Sequence, residues 1–257
     1  MPVVALPQAF LHIPLAHRAL HDRSQRRPEN SPAAIRAAVA AGYGIEIDVQ
    51  LSADGQAMVF HDDDLDRLTA EKGPLHARSA ADLGRILLHD SDDGIPTLPQ
   101  VLALVAGRVP LLIEIKDQDR MSGPVKGVLE AATAKALASY HGPAAVMSFN
   151  PHSIIAMAAL APAIPRGLTT CGFDPKEWAP MPEVLCAALR EIPDFTRAEA
   201  SFISHDWTDL DRRRVTDLKA QGTPILCWTI KFPTAEAFAR KIADNITFEG
   251  YAAPFTA

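Results

Sequence analysis

The chain has 257 residues, 48% of them hydrophobic and 22% charged, with a formal net charge of −6. That balance belongs to a chain that folds around its own core and excludes disorder; the length accommodates one α/β barrel or two small domains. Mild acidity argues against a nucleic-acid partner held by phosphate neutralisation, and no apolar stretch approaches the ~20 residues of a membrane helix.

In chain order, short apolar runs with strand character fall at 13–16, 45–49, 57–60, 111–115, 145–148, 167–170, 202–204, 224–228 and 245–248. Ala- and Leu-rich segments of helical length separate most of them, at 31–42, 97–106, 124–140, 152–160, 181–191, 209–221 and 234–243. This alternation predicts βα units around a parallel sheet. Runs such as LLIEI and AAVMS lack strict alternation, as strands covered on both faces do. Ser31 followed by Pro32 predicts a helix start, with Thr97 and Thr234 in similar capping positions. So many units favour a closed TIM (β/α)8 barrel over an open doubly wound sheet. Residues 62–96 break the rhythm: they are polar, with one short helical piece around 80–88, and read as an insertion after the strand ending at His61. Nothing else divides the chain, so 1–257 is expected to be a single barrel domain.

Cys171, Cys186 and Cys227 are far apart and make neither a disulfide framework nor a CxxC metal site. Free core thiols fit a reducing cytoplasm. Pro2, Pro7 and Pro14 interrupt the N-terminal apolar residues, which also lack a charged leading segment, so no signal peptide is expected.

The chemistry concentrates at strand ends, where a parallel barrel builds its active site. His17 and Arg18 follow the first strand, Glu46 and Asp48 lie in the second, His61 ends the third run, and Glu114 and Lys116 close LLIEIK. Residues two apart on a strand share a face, so Glu46 and Asp48 are expected inside the barrel, with Ile45, Ile47 and Val49 toward the helices. Buried carboxylates need a partner or a metal, and three of them make an oxygen-rich site for Mg²⁺ or Ca²⁺ rather than zinc. Arg18 and Lys116 supply the positive charge that a phosphate ester requires, and His17 and His61 are groups able to exchange protons near neutral pH. In the run His61-Asp62-Asp63-Asp64, the aspartates suit a turn, with Asp62 placed to orient His61. His12, His21, His76, His89, His141 and His152 are expected in surface or capping roles, and the 205–207 segment in a solvated loop. The chain contains no GxGxxG, P-loop or GxSxG element, which argues against a dinucleotide, ATP or a serine nucleophile.

These residues also sit in a recognisable order: AHRA at 16–19, RPENSPAAIRAAVAAGYGIEIDVQLSADGQAMVFHDDDLDRLT at 27–69, IPTLPQVL at 95–102, LLIEIK at 111–116, SFNP at 148–151 and GTPILCWTI at 222–230. Across nearly the whole chain the sequence resembles the glycerophosphodiester phosphodiesterase family. The resemblance implies a TIM barrel that hydrolyses glycerophosphodiesters to glycerol 3-phosphate and an alcohol. It implies a divalent cation on Glu46, Asp48 and Glu114, His17 and His61 as the acid–base pair, and Arg18 and Lys116 on the phosphate. Trp228 matches an aromatic lining the substrate pocket, and Glu29 supports the site near Arg18. The C-terminal segment 244–254 departs from the family's usual text. Glu249 stands where an acidic or polar residue is expected, and the pocket wall meeting the alcohol stays open. A lysophospholipase D-like substrate and a non-catalytic phosphate-ester-binding barrel are the alternatives. Against the former, Leu83, Ile86, Leu87 and Leu88 are expected to pack the insertion down rather than greet a lipid. The oligomeric state is not legible.

Overall fold

In the computed structural model, which describes residues 3–255, nine strands form one sheet. They are β1 (Leu15–Ala16), β2 (Gly44–Leu51), β3 (Ala57–Val59), β4 (Leu111–Ile115), β5 (Ala144–Ser148), β6 (Arg166–Thr170), β7 (Phe202–Asp206), β8 (Ile225–Ile230) and β9 (Asn245–Phe248). All but β3 are parallel, in the order β1-β9-β8-β7-β6-β5-β4-β2, and β1 also pairs with β2. The sheet therefore closes as an eight-stranded TIM barrel. Strand β3 runs antiparallel on the outer half of β2, with Val49 opposite Val59.

Helices occupy most of the expected places: α1 (Ala9–His12), α2 (Pro32–Ala41), α3 (Ala80–Leu83), α4 (Leu98–Val105), α5 (Val128–Leu137), α6 (Pro151–Leu160), α7 (Glu183–Leu189), α8 (Arg213–Ala220) and α9 (Pro233–Ala239). Ser31 caps α2 through its side chain with Pro32 as first helical residue, and Thr97 with Gln100 forms a capping box on α4. Thr234 does not cap: Pro233 already opens α9 and Phe232 holds the cap position. Helix α5 begins at Val128 rather than 124, after Gly127 at φ +78°. None of the helices among the described residues is long and apolar enough to cross a membrane.

Alternation along β2 separates two environments. Ile45, Ile47 and Val49 join the outer cluster with Ala34, Ile35 and Ala38 of α2 and Val101 and Val105 of α4. The base of the barrel interior is apolar: Leu15, Leu112, Ala145, Met147, Phe202 and Leu226 pack together, closed from below by Leu6 and Phe10 of the N-terminal segment. Gly167 leaves the space that the Phe202 ring occupies; a β-carbon there would overlap it. Glu46, Asp48 and Glu114 stand above this base on the same interior faces.

Between β3 and α4, Leu65, Leu68, Leu75, Leu83, Leu88 and Ile95 pack with Met58 and Phe60 as a separate cluster. The helical piece expected around 80–88 stops at Leu83 because the chain then turns into antiparallel bridges, Thr69–Leu88 and Leu87–Gly94. Leu83 and Leu88 pack inward as expected, but Leu87 is 54% exposed.

Candidate active site

The chain leaves β1 through a turn in which Arg18 (φ 50°) and Ala19 (φ 65°) both take left-handed conformations without being glycine. Backbone bonds hold this turn: Asn30 N–H donates to Arg18 O (2.8 Å) and Ala19 N–H to Glu46 O (3.0 Å). The Arg18 N–H then donates to Glu46 Oε2 at 3.0 Å, so the strained turn ties β1 to the acidic face of β2.

Across the β2–β4 pair Asp48 lies in register with Glu114, and Glu46 lies one interior step below Asp48. The three carboxylates are buried and each offers an oxygen within 4.8 Å of the others. Burial, with Asp48 and Glu114 alongside, pushes Glu46 well above the ordinary glutamate range. Burial also opposes ionisation of Asp48, but Lys116, His61 and Arg18 overcome it and hold that carboxyl low. Lys116 Nζ reaches Asp48 Oδ1 at 2.8 Å and Glu114 Oε1 at 2.7 Å, while Asn30 Nδ2 donates to Asp48 Oδ2 at 2.9 Å. The chemistry of this donor set fits a hard divalent cation: carboxylate oxygens only, buried, with repulsion that a cation relieves.

Two histidines flank these acids, each backed by a carboxylate. His17 Nδ1–H donates to Glu249 Oε2 at 2.6 Å, and His61 Nδ1–H donates to Asp62 Oδ1 at 2.7 Å. A carboxylate only accepts, so Nδ1 carries the proton in both rings and Nε2 is the nitrogen left for proton exchange. Burial lowers the pKa of His17 below its ordinary value, with the Glu249 bond opposing. His17 holds Glu249 well below the usual carboxylate range, assisted by His21.

One cleft of about 390 Å³ brings the sequence-nominated residues together: His17, Arg18, Glu29, Glu46, Asp48, His61, Glu114, Lys116 and Trp228 all line it. His21, expected on the surface, lines it as well, with Nε2 3.4 Å from Glu249 Oε2, and Lys231 Nζ lies 3.0 Å from Glu249 Oε1. The segment 205–207 is not a solvated loop at its start. His205 lies on β7, fully buried, bonded to Thr170 Oγ1 at 2.7 Å, with Nε2 3.2 Å from Asp209 Oδ2. Burial lowers its pKa against the pull of Asp209; it braces the barrel wall.

Arg67 is the unforeseen member. Its guanidinium donates to Glu29 (2.8 and 2.7 Å) and to Asp62 (2.7 and 2.9 Å). Glu29 in turn accepts from Arg18 Nη1 at 2.8 Å. A continuous ionic chain, Arg18–Glu29–Arg67–Asp62–His61, thus links Arg18 to one of the two histidines. The sequence placed Arg67 inside a motif and gave no sign of these partners. His17 and Glu249 are 232 residues apart, beyond any local pattern.

A glycerophosphodiester phosphodiesterase of Caldanaerobacter subterraneus subsp. tengcongensis is 35% identical over 172 residues, 62% of this chain and 67% of that protein. YhdW of Bacillus subtilis (strain 168) is 28% identical over 225 residues, 84% of this chain and 85% of YhdW. An Oleispira antarctica phosphodiesterase, solved in complex with the product sn-glycerol-3-phosphate, superposes with a TM-score of 0.75 at 26% identity, covering 94% of each chain. The sequence profile of the glycerophosphoryl diester phosphodiesterase family matches residues 17–245, and the chain belongs to that family.

Proposed function

We propose that the protein hydrolyses glycerophosphodiesters to sn-glycerol 3-phosphate and an alcohol. One observation carries the reading: two carboxylate-backed histidines, two pinned cations and three buried carboxylates converge on a single cleft at the C-terminal ends of the strands. The Oleispira relative, solved with sn-glycerol-3-phosphate, supports the substrate class.

Glu46, Asp48 and Glu114 would hold a divalent cation, Mg²⁺ or Ca²⁺, which when bound supplies Lewis-acid stabilisation at the phosphoryl oxygens. The rest is the work of side chains. Arg18 and Lys116 are fixed by carboxylates before substrate arrives, so their charges need no reorganisation to meet the phosphate. Burial keeps His17 neutral at pH 7, and its Nε2 takes the proton of the attacking oxygen, whether from water or from the adjacent glycerol hydroxyl, whose cyclic phosphate a water then opens to glycerol 3-phosphate. His61, its ring oriented by the Nδ1–H bond to Asp62, gives in its protonated form the Nε2 proton to the leaving alkoxide as the P–O bond to the alcohol breaks. Trp228 forms an apolar wall, its Nε1–H committed to Ser204 O at 3.0 Å. The free, buried thiols support a reducing, cytoplasmic setting. We treat the chain as one barrel domain with 62–96 as an insertion whose first residues, with His61, complete the site.

The test is release of sn-glycerol 3-phosphate from glycerophosphocholine and glycerophosphoethanolamine, with Mg²⁺, with Ca²⁺ and after EDTA. Cation-dependent release abolished by EDTA is expected, and His17→Ala and His61→Ala should each lose roughly 10²–10⁴-fold in turnover. Near-normal turnover in both variants, or release indifferent to EDTA, overturns the assignment.

A further inference from the structure

A second cleft of about 270 Å³ opens beside the catalytic one. The two share His61, Glu114, Lys116 and Phe149, whereas His17 lines only the first. The second cleft therefore continues the reaction site on the side of His61, the histidine that protonates the leaving alcohol.

Its wall is aromatic and fixed. Phe149 stands between the clefts, 5.0 Å from the Trp178 ring and 5.5 Å from the Trp228 ring, the latter edge-on. Trp178 is anchored from behind by the buried Phe173, 4.8 Å away. Phe149 and Trp178 are half-buried, so ring surface remains open to the cleft.

The charge around these rings is negative. Asp63 is neutralised by its ion pair with Arg120. Asp117 accepts from Asn150 Nδ2 (2.9 Å) and the Ser122 N–H (2.7 Å), two neutral donors that fix its carboxylate without cancelling its charge. Glu177 adjoins Trp178 on the exposed rim. An alcohol entering here meets aromatic faces and two uncompensated carboxylates.

We infer that this cleft is the subsite for the leaving alcohol and that it selects cationic alcohols, those bearing a quaternary or primary ammonium, over neutral polyols. A quaternary ammonium cannot donate hydrogen bonds, and the faces of Trp and Phe with nearby carboxylates are the surface that attracts it. The inference rests on the phosphodiesterase reading above.

The experiment compares kcat/KM for glycerophosphocholine, glycerophosphoethanolamine and glycerophosphoglycerol in the wild type, Glu177→Gln and Trp178→Ala. Both cationic diesters should exceed glycerophosphoglycerol by roughly tenfold in the wild type, a modest cation–π and charge preference. Either substitution should bring that ratio down toward unity. Parity in the wild type, or a ratio that survives both substitutions, overturns the subsite while leaving the phosphodiesterase reading intact. Absence of release from every diester defeats that reading instead. Choline alone then decides the subsite: its saturable quenching of tryptophan fluorescence, lost in Glu177→Gln, upholds it, and no quenching overturns it.

Discussion

Arg67 touches neither the carboxylate triad nor the cleft's inner wall, yet its planar fork satisfies Glu29 and Asp62 at once. Burial disfavours the charged form of Asp62, and the bonds from His61 and Arg67 reverse that and hold it ionised. Glu29 behaves alike, its burial overcome by Arg67 and Arg18. Arg67 is thus a positioning residue for both His61 and Arg18. Arg67→Ala should lower kcat roughly 10- to 100-fold with little change in KM, since small misplacements of catalytic groups cost that much. Arg67→Lys keeps the charge but loses the two-sided fork, so it should recover only part of the loss. A variant that melts earlier while keeping wild-type kcat would reduce Arg67 to a structural role. The sequence could not assign this role, because the side chain's partners lie 38 residues upstream and 5 upstream with no periodicity joining them.

Along an element, the period of two on β2 is what the sequence displayed most clearly. It put Ile45, Ile47 and Val49 under the helices and Glu46 and Asp48 inside, and the parallel register then set Asp48 against Glu114. What no pattern conveyed is how uneven the three acids are. Asp48 has Lys116, Arg18 and Asn30 around it. Glu46 has the Arg18 N–H and the repulsion of its neighbours. Its folded pKa stands above the ordinary value of about 4.5. The folded chain therefore binds more protons than the unfolded one between those values, and cation-free stability falls as pH rises through that window. Glu46→Gln keeps an acceptor for the Arg18 N–H and turns the second oxygen into a donor toward the acids. The cation-free variant should melt above the cation-free wild type, by about 2–4 °C for each kcal/mol relieved, and the gap should widen as pH rises from 4.5. Saturating cation, at roughly 100 times its Kd, should stabilise the wild type by about 2.7 kcal/mol and the variant by much less. Scanning calorimetry with cation and with EDTA reads both; a wild-type melting temperature indifferent to EDTA would remove the cation from the site.

At the scale of the molecule, the barrel divides its interior between two tasks, and the sequence displayed one of them. Charged residues at strand ends marked the upper face. The lower face was read only in part: the strand expected at 13–16 is β1, but α1, with four residues, is too short for any periodic signal. Closure nevertheless depends on this stretch. Leu15 and Ala16 pair with both β2 and β9, and Asn245 Nδ2 donates to the carbonyls of Phe10 and Ile13, pinning the segment beneath the barrel. Phe10 is fully buried in the basal cluster with Phe202 and Leu226. Barrels of this kind carry chemistry at the C-terminal face of the strands and stability at the other. Phe10→Ala should therefore cost about 3–5 kcal/mol through lost burial and the cavity it leaves. At about 2–4 °C per kcal/mol, the melting temperature should fall by roughly 6–20 °C. At 25 °C, where the variant remains folded, kcat/KM should stay within about twofold of wild type, because the lost ring lies beneath the apolar layer that separates it from Glu46 and Asp48. A variant with its normal melting temperature but impaired turnover would show instead that the base of the barrel communicates with the catalytic face.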